Sequence, residues 1–133
     1  MKTLEVVAAI IIYKNKILCM QRKTGIYDYI SHKFEFPGGK IEKGETNNVA
    51  LMRELEEEMD MILTISEEDY YMSIDHQYPN FRIVMHTYLC QVNNPNFNMK
   101  EHISYQWLKR DELGQLDWAP ADLPIVESLI KGE

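Results

Sequence analysis

The chain has 133 residues, 45% of them apolar, and a formal net charge of −7. Length and composition fit one compact domain over residues 1–133 and exclude a disordered chain. The negative charge gives no long-range attraction to a phosphate backbone, so duplex nucleic acid is not an expected partner; a small anion is, if local cations or metal ions offset the repulsion.

Residues 6–13 are rich in β-branched side chains, Lys14-Asn15-Lys16 has turn character, and residues 17–21 form a second apolar run. The chain therefore opens with a hairpin. The run over 6–13 is too short to span a bilayer and no cleavage site follows it, so the expectation is a cytoplasmic protein with no membrane partner. Residues 22–33 are polar and aperiodic, which predicts a loop. Phe34-Glu35-Phe36 is a short extended stretch, and Pro37-Gly38-Gly39 is expected to end regular structure.

Residues 46–59 are the clearest helix. Thr46 is a candidate N-cap, and Val49, Met52, Leu55 and Met59 recur at helical spacing. Residues 69–78 and 81–92 are alternating or apolar runs joined at Pro79-Asn80, a second hairpin. Residues 102–108 predict a further strand, and 121–130 a closing helix. Cys19 and Cys90 lie in strand-like runs with no zinc or disulfide spacing, and are expected as buried thiols. No repeat or linker interrupts the pattern. Strands dominate and two helices pack on them, which gives an α+β class with a mixed sheet. Monomer and homodimer are both compatible with the sequence.

The chemistry concentrates after Gly38. The chain reads Gly-Gly-Lys-Ile-Glu-Lys-Gly-Glu-Thr and continues into the helix containing Arg53-Glu54-Leu55-Glu56-Glu57-Glu58. Glu54, Glu57 and Glu58 fall at i, i+3 and i+4, on one helix face. A solvated acidic face is the plain alternative. Against it, like charges at this spacing repel, and only Arg53 is near to compensate. A glycine-rich loop also precedes the helix, where backbone groups can approach a metal or a phosphate without a Cβ in the way. Glu45 can complement the helix N-terminus or reach back to the loop. A hard cation accounts for the cluster: Mg²⁺ takes oxygen ligands and keeps room for waters and substrate phosphates. Two such ions can clamp a diphosphate and generate a hydroxide nucleophile.

These residues resemble the Nudix box, Gly-x5-Glu-x7-Arg-Glu-U-x-Glu-Glu-x-Gly-U with U aliphatic: Gly39, Glu45, Arg53, Glu54, Leu55, Glu57, Glu58 and Met61 are in register. One position departs. Asp60 stands where the family has its second glycine, just past the helix end, where a left-handed backbone is common and Asp is tolerated. A positive φ is expected there, with Asp60→Gly neutral or slightly stabilising. The segment Phe34-Glu35-Phe36-Pro37-Gly38-Gly39-Lys40 resembles the approach to the box in the MutT branch. Trp118-Ala119-Pro120-Ala121-Asp122-Leu123-Pro124 resembles that branch's base-recognition segment, most closely in its CTP pyrophosphohydrolases.

The likeness covers nearly the whole chain and implies the Nudix fold, a mixed β-sheet sandwiched between helices. It implies a Mg²⁺-dependent hydrolase, with Mn²⁺ as a substitute, that cleaves a nucleoside triphosphate to a monophosphate and pyrophosphate. Glu54, Glu57 and Glu58 match metal-binding carboxylates, the Gly38 carbonyl matches a backbone ligand, and Arg53 matches the arginine that orients the glutamates. Glu101, six residues before Trp107, has the spacing of a further loop carboxylate near the metals; a surface acid is the alternative. Arg22 and Lys40 are placed for substrate contacts. Phe36 and Tyr78 either flank the base or only pack. Asp122 either reads the base, as an ionised acceptor for the cytosine amine, or caps the closing helix. CTP, dCTP or a 5-substituted dCTP is the expected substrate. The rivals are oxidised guanine nucleotides, a nucleoside-diphosphate sugar, and a non-catalytic nucleotide sensor.

Overall fold

A computed structural model describes all of residues 1–133. In chain order the elements are β1 (Lys2–Tyr13), β2 (Lys16–Arg22), β3 (Phe34–Glu35), β4 (Gly38–Lys40), α1 (Asn47–Met59), β5 (Tyr70–Gln77), β6 (Phe81–Gln91), β7 (His102–Leu108) and α2 (Leu123–Lys131). Short 3₁₀ turns occupy Glu67–Asp69, Arg110–Gln115 and Pro120–Asp122. No helix is long and apolar enough to cross a membrane.

The spine is β1. It pairs in parallel with β6 from Lys2↔Phe81 to Ile12↔Gln91, and antiparallel with β4 at Val6, Val7 and Ala8. Beyond β4 it pairs with β2 only at Ile12 and Tyr13, next to a two-residue turn in which Lys14 and Asn15 both have positive φ, 48° and 67°. Such a turn matches the twist of a hairpin. β2 then pairs with β3 and, on its other edge, with β7, while β5 closes the far side against β6.

A strand buried on both faces reads as an unbroken apolar run, and β1 is one: residues 7–12 are all buried. Side chains alternate across the sheet. Val7, Ala9 and Ile11 therefore join the core under α1, with Leu51, Leu55 and Met59, while Ala8, Ile10 and Ile12 join the core under α2, with Ile125, Val126 and Leu129. The result is a mixed sheet between two helical layers, as the sequence predicted. Cys19 and Cys90 are free and buried, and burial pushes both thiols up to about 12, so neither is a reactive thiolate.

Four local expectations are corrected. Gly38 and Gly39 do not end regular structure; they form β4 against β1. A Cβ at Gly38 would collide with the Val7 carbonyl, so the close strand pairing itself requires glycine. Val49 is exposed, and the buried face of α1 is Ala50, Leu51, Leu55 and Met59, with the small Ala50 admitting close approach to the sheet. Thr46 has the extended backbone of an N-cap but makes no side-chain cap; its hydroxyl donates to Asn48 Oδ1 instead. The closing helix begins at Leu123, after a 3₁₀ turn that contains Ala121 and Asp122. Asp60 has φ 52° and ψ 31°, the left-handed conformation expected of it.

Candidate active site

The candidate site is a cleft with a volume of about 630 Å³. Its floor is β1 and β4, one wall is the C-terminal half of α1 with Glu101, and the far wall is built by Phe36, Tyr78 and Asp122. Arg22, Gly38, Lys40, Glu54, Glu58 and Glu101 also line it, so nine of the sequence-derived site residues meet in one space. Arg53 and Glu57 do not line it.

Arg53 lies behind the cleft as a hub. Its Nε and Nη2 donate to the two carboxylate oxygens of Glu45, at 2.6 and 2.9 Å. Nη1 reaches Glu54 at 3.0 Å and Glu57 at 3.2 Å, and Nη2 also donates to the Lys40 carbonyl at 3.0 Å. A forked guanidinium suits this task because its donors are fixed in one plane. The Arg53 hydrogen bond, and after it the Glu42 backbone N–H, hold the Glu45 carboxyl down at about 2. One arginine thus ties the loop, β4 and α1 together.

The cleft side of α1 is the opposite case. None of the chain's ion pairs includes Glu58. Burial pushes its carboxyl up to about 8, reinforced by the charge of Glu54 and a hydrogen bond shared with it, then by Glu101 and Glu35. Gly39 lies flush against Glu54, and a Cβ there would overlap the Glu54 carboxylate. Glu57 is 60% exposed and turned to Arg53, so the helical spacing does not by itself deliver three converging acids. No three acidic, histidine or cysteine side chains close into a cage for a cation. The donors that do face the cleft are oxygens, crowded and mutually repelling, which fits a hard divalent cation better than a soft one.

At the far wall, Asp122 Oδ2 accepts from the backbone N–H of Phe36 at 3.1 Å. The carboxyl is 4% exposed; burial, and then the charge of Glu35, raise it well above the usual carboxylate range. That shift favours the neutral acid over the ionised acceptor expected from sequence. Asp122 also makes no cap to α2, although it occupies the N-cap position. Phe36 and Tyr78 are 3% and 5% exposed. Phe36 packs on Trp118 at 4.8 Å between ring centres, and the Tyr78 hydroxyl accepts from the Ala121 N–H, so most of each ring is structural.

Sequence reasoning missed Glu35 and His102. Glu35 joins the two ends of the cleft: it accepts from Arg22 Nη1 at 3.0 Å and pairs with His102 Nε2 at 2.8 Å. Its signal was a single acid between two buried phenylalanines; His102 had none beyond adjacency to Glu101. Arg22 Nε is buried without a partner, an unused donor at the cleft wall.

The sheet between two helices and the acid-lined cleft define a Nudix domain: the NUDIX domain model matches residues 3–129, and the chain belongs to this family. It is a Nudix hydrolase, of the class that uses a divalent metal ion and acts on small nucleotide substrates. The CTP pyrophosphohydrolase of Escherichia coli is 34% identical, covering 98% of this chain and 93% of its own length. The 8-oxo-dGTP diphosphatase of the same organism is 30% identical over 97% of this chain and 98% of its own. Among solved structures, the MutT Nudix hydrolase of methicillin-resistant Staphylococcus aureus superposes with a TM-score of 0.75 at 40% identity, covering 100% of both chains.

Proposed function

We propose that this chain acts as a single Nudix domain, a Mg²⁺-dependent nucleoside triphosphate pyrophosphohydrolase, with Mn²⁺ able to substitute. It cleaves between the α and β phosphates of CTP, dCTP or a 5-substituted dCTP, releasing a monophosphate and pyrophosphate. The observation that carries this reading is a single cleft with crowded carboxylates at one end, among them Glu58 with no cationic partner, and a buried acid, Asp122, at the other.

Glu54, Glu57, Glu58, Glu101 and the Gly38 carbonyl hold the cations, which supply neutralisation of the diphosphate and activation of water. Arg53 orients Glu54 and Glu57. Arg22 and Lys40 meet the phosphates or sugar, and Phe36 and Tyr78 border the base. A neutral Asp122 offers one donor and one acceptor, complementary to N3 and the exocyclic amine of cytosine. The same neutral acid tolerates uracil by exchanging donor and acceptor; the ionised acid, an acceptor only, leaves one acceptor–acceptor contact with either base, at N3 of cytosine or O4 of uracil. Leaving such a group unpaired costs about 1–3 kcal/mol. The 34% identity to a CTP pyrophosphohydrolase supports cytosine. A second reading, an oxidised guanine nucleotide, is favoured by the donor–acceptor character of neutral Asp122, which also fits guanine O6 and N1–H, and by the 8-oxo-dGTP diphosphatase relative.

Steady-state kcat/KM across a nucleotide panel, repeated over a pH series, tests this. CTP or dCTP is expected to lead, and its kcat/KM to fall as pH rises and Asp122 loses the proton it donates to N3. Asp122→Asn is expected to remove that pH dependence. Oxidised dGTP exceeding every cytidine nucleotide tenfold or more, on the order of 1.4 kcal/mol, would replace cytosine with the second reading.

A further inference from the structure

Residues 92–101, which carry Glu101 to the cleft, have no regular secondary structure and pass the C-terminal end of α1. Phe97 packs against the core under α1, and the Asn98 backbone N–H donates to the Met59 carbonyl at 2.9 Å. The Asp60 side chain holds the same segment twice more. Its Oδ2 accepts from Asn98 Nδ2 at 2.6 Å, and its Oδ1 from Lys100 Nζ at 2.8 Å. The next residue is Glu101, whose carboxylate is 3.6 Å from Lys23 Nζ at the cleft rim. Glu58 lies two residues before Asp60 on the same helix, so one helix end carries both a cleft acid and the anchor of the loop facing it. A glycine at position 60 would serve the left-handed backbone equally well but would make neither side-chain bond.

We infer that Asp60 is a positioning residue: by clamping Asn98 and Lys100 to the end of α1, it sets where Glu101 stands relative to Glu54 and Glu58. The inference rests on the proposed part of Glu101 in holding the cations. It gives the box's one departure a task that the backbone conformation alone does not explain, and it concerns turnover, whereas the expectation of a neutral or slightly stabilising Asp60→Gly concerned stability.

The test uses the full chain with saturating Mg²⁺ and the nucleotide it turns over best. Asp60→Gly, and separately the Asn98→Ala/Lys100→Ala pair, are each expected to lower kcat roughly three- to fivefold, the population shift that exposed ion pairs of this kind supply. Nucleotide KM is expected to hold and backbone amide exchange at Asn98 to quicken. In a Glu101→Gln background neither change is expected to lower kcat further, because residues that act through one group are not additive. A loss that adds in full to that of Glu101→Gln overturns the inference. So does full activity of Asp60→Gly in an enzyme that Glu101→Gln disables. Full activity of Glu101→Gln is a distinguishable result: it takes Glu101 out of the reaction and overturns the site assignment beneath the inference.

Discussion

Two glutamates, one just before α1 and one near its end, have been driven in opposite directions. Glu45 sits on the Arg53 side, grips the guanidinium with both oxygens and is held at about 2. Glu58 sits on the cleft side, with Glu54, Glu101 and Glu35 for company and no cation, and is pushed to about 8. The residue type is identical, and both contact the same short stretch of chain around α1. What differs is whether a fixed positive charge has been supplied. The Arg53 side is an electrostatically finished structure; the cleft side is finished only when something positive arrives. Perturbed carboxylates in a cleft are a mark of function rather than of stability.

The largest expected effect breaks the comparison at the cleft side. Glu54→Gln and Glu58→Gln should each lower kcat at least about a hundredfold, since each removes charge from a site that works through metal activation of water. Glu57→Gln sharpens the boundary between the two sides. A loss of the same size is expected, because Glu57 is assigned to the cations although it rests on Arg53; a loss under tenfold would leave Glu57 with the hub. Mutant kinetics at saturating Mg²⁺ decide each case.

A smaller effect is expected from Gly39→Ala, which places a methyl on the Glu54 carboxylate without touching any charge. Displacing Glu54 in this way should reduce kcat by about tenfold or more, as misplacements near 1 Å do. Unchanged kcat would show that the position of Glu54 is not what the reaction needs.

The smallest effects are two opposed slopes in thermal stability. In the metal-free protein Glu58 has a folded value near 8 against an ordinary 4.5. Its contribution is present in full below 4.5 and is lost as pH rises through about 8, because the unfolded chain gives up the proton first. Adding Mg²⁺ should therefore raise Tm more at high pH than at low pH. Glu45 runs the other way: its contribution is present above 4.5 and is lost as pH falls through about 2. Differential scanning calorimetry of wild type and Glu45→Gln over pH should show the two curves converging on the acid side. A Mg²⁺ stabilisation independent of pH would mean that Glu58 carries no proton for the cation to displace.

The sequence by itself determined most of the elements, though not β4, and singled out the helix that carries the clustered acids. Period-two and helical spacings are local facts, so β1, the hairpins, α1 and β7 were legible, and so was the left-handed turn at Asp60, because a helix end imposes it on whatever residue stands there. Spacing also named Glu54, Glu57 and Glu58 as candidates. Only the tertiary structure decided which way each one faces. Arg53 captures Glu57 through a guanidinium that Glu45 has already fixed, and a contact between loop and helix is invisible to helical periodicity. Glu35 and His102 entered the cleft because β3 and β7 both flank β2, a pairing set by sheet topology. The protonation of Asp122 depends on the walls around it, since burial sets the cost of its charge. Composition and spacing fix what a residue can do; the desolvation and neighbours that select among those possibilities exist only once distant segments have packed.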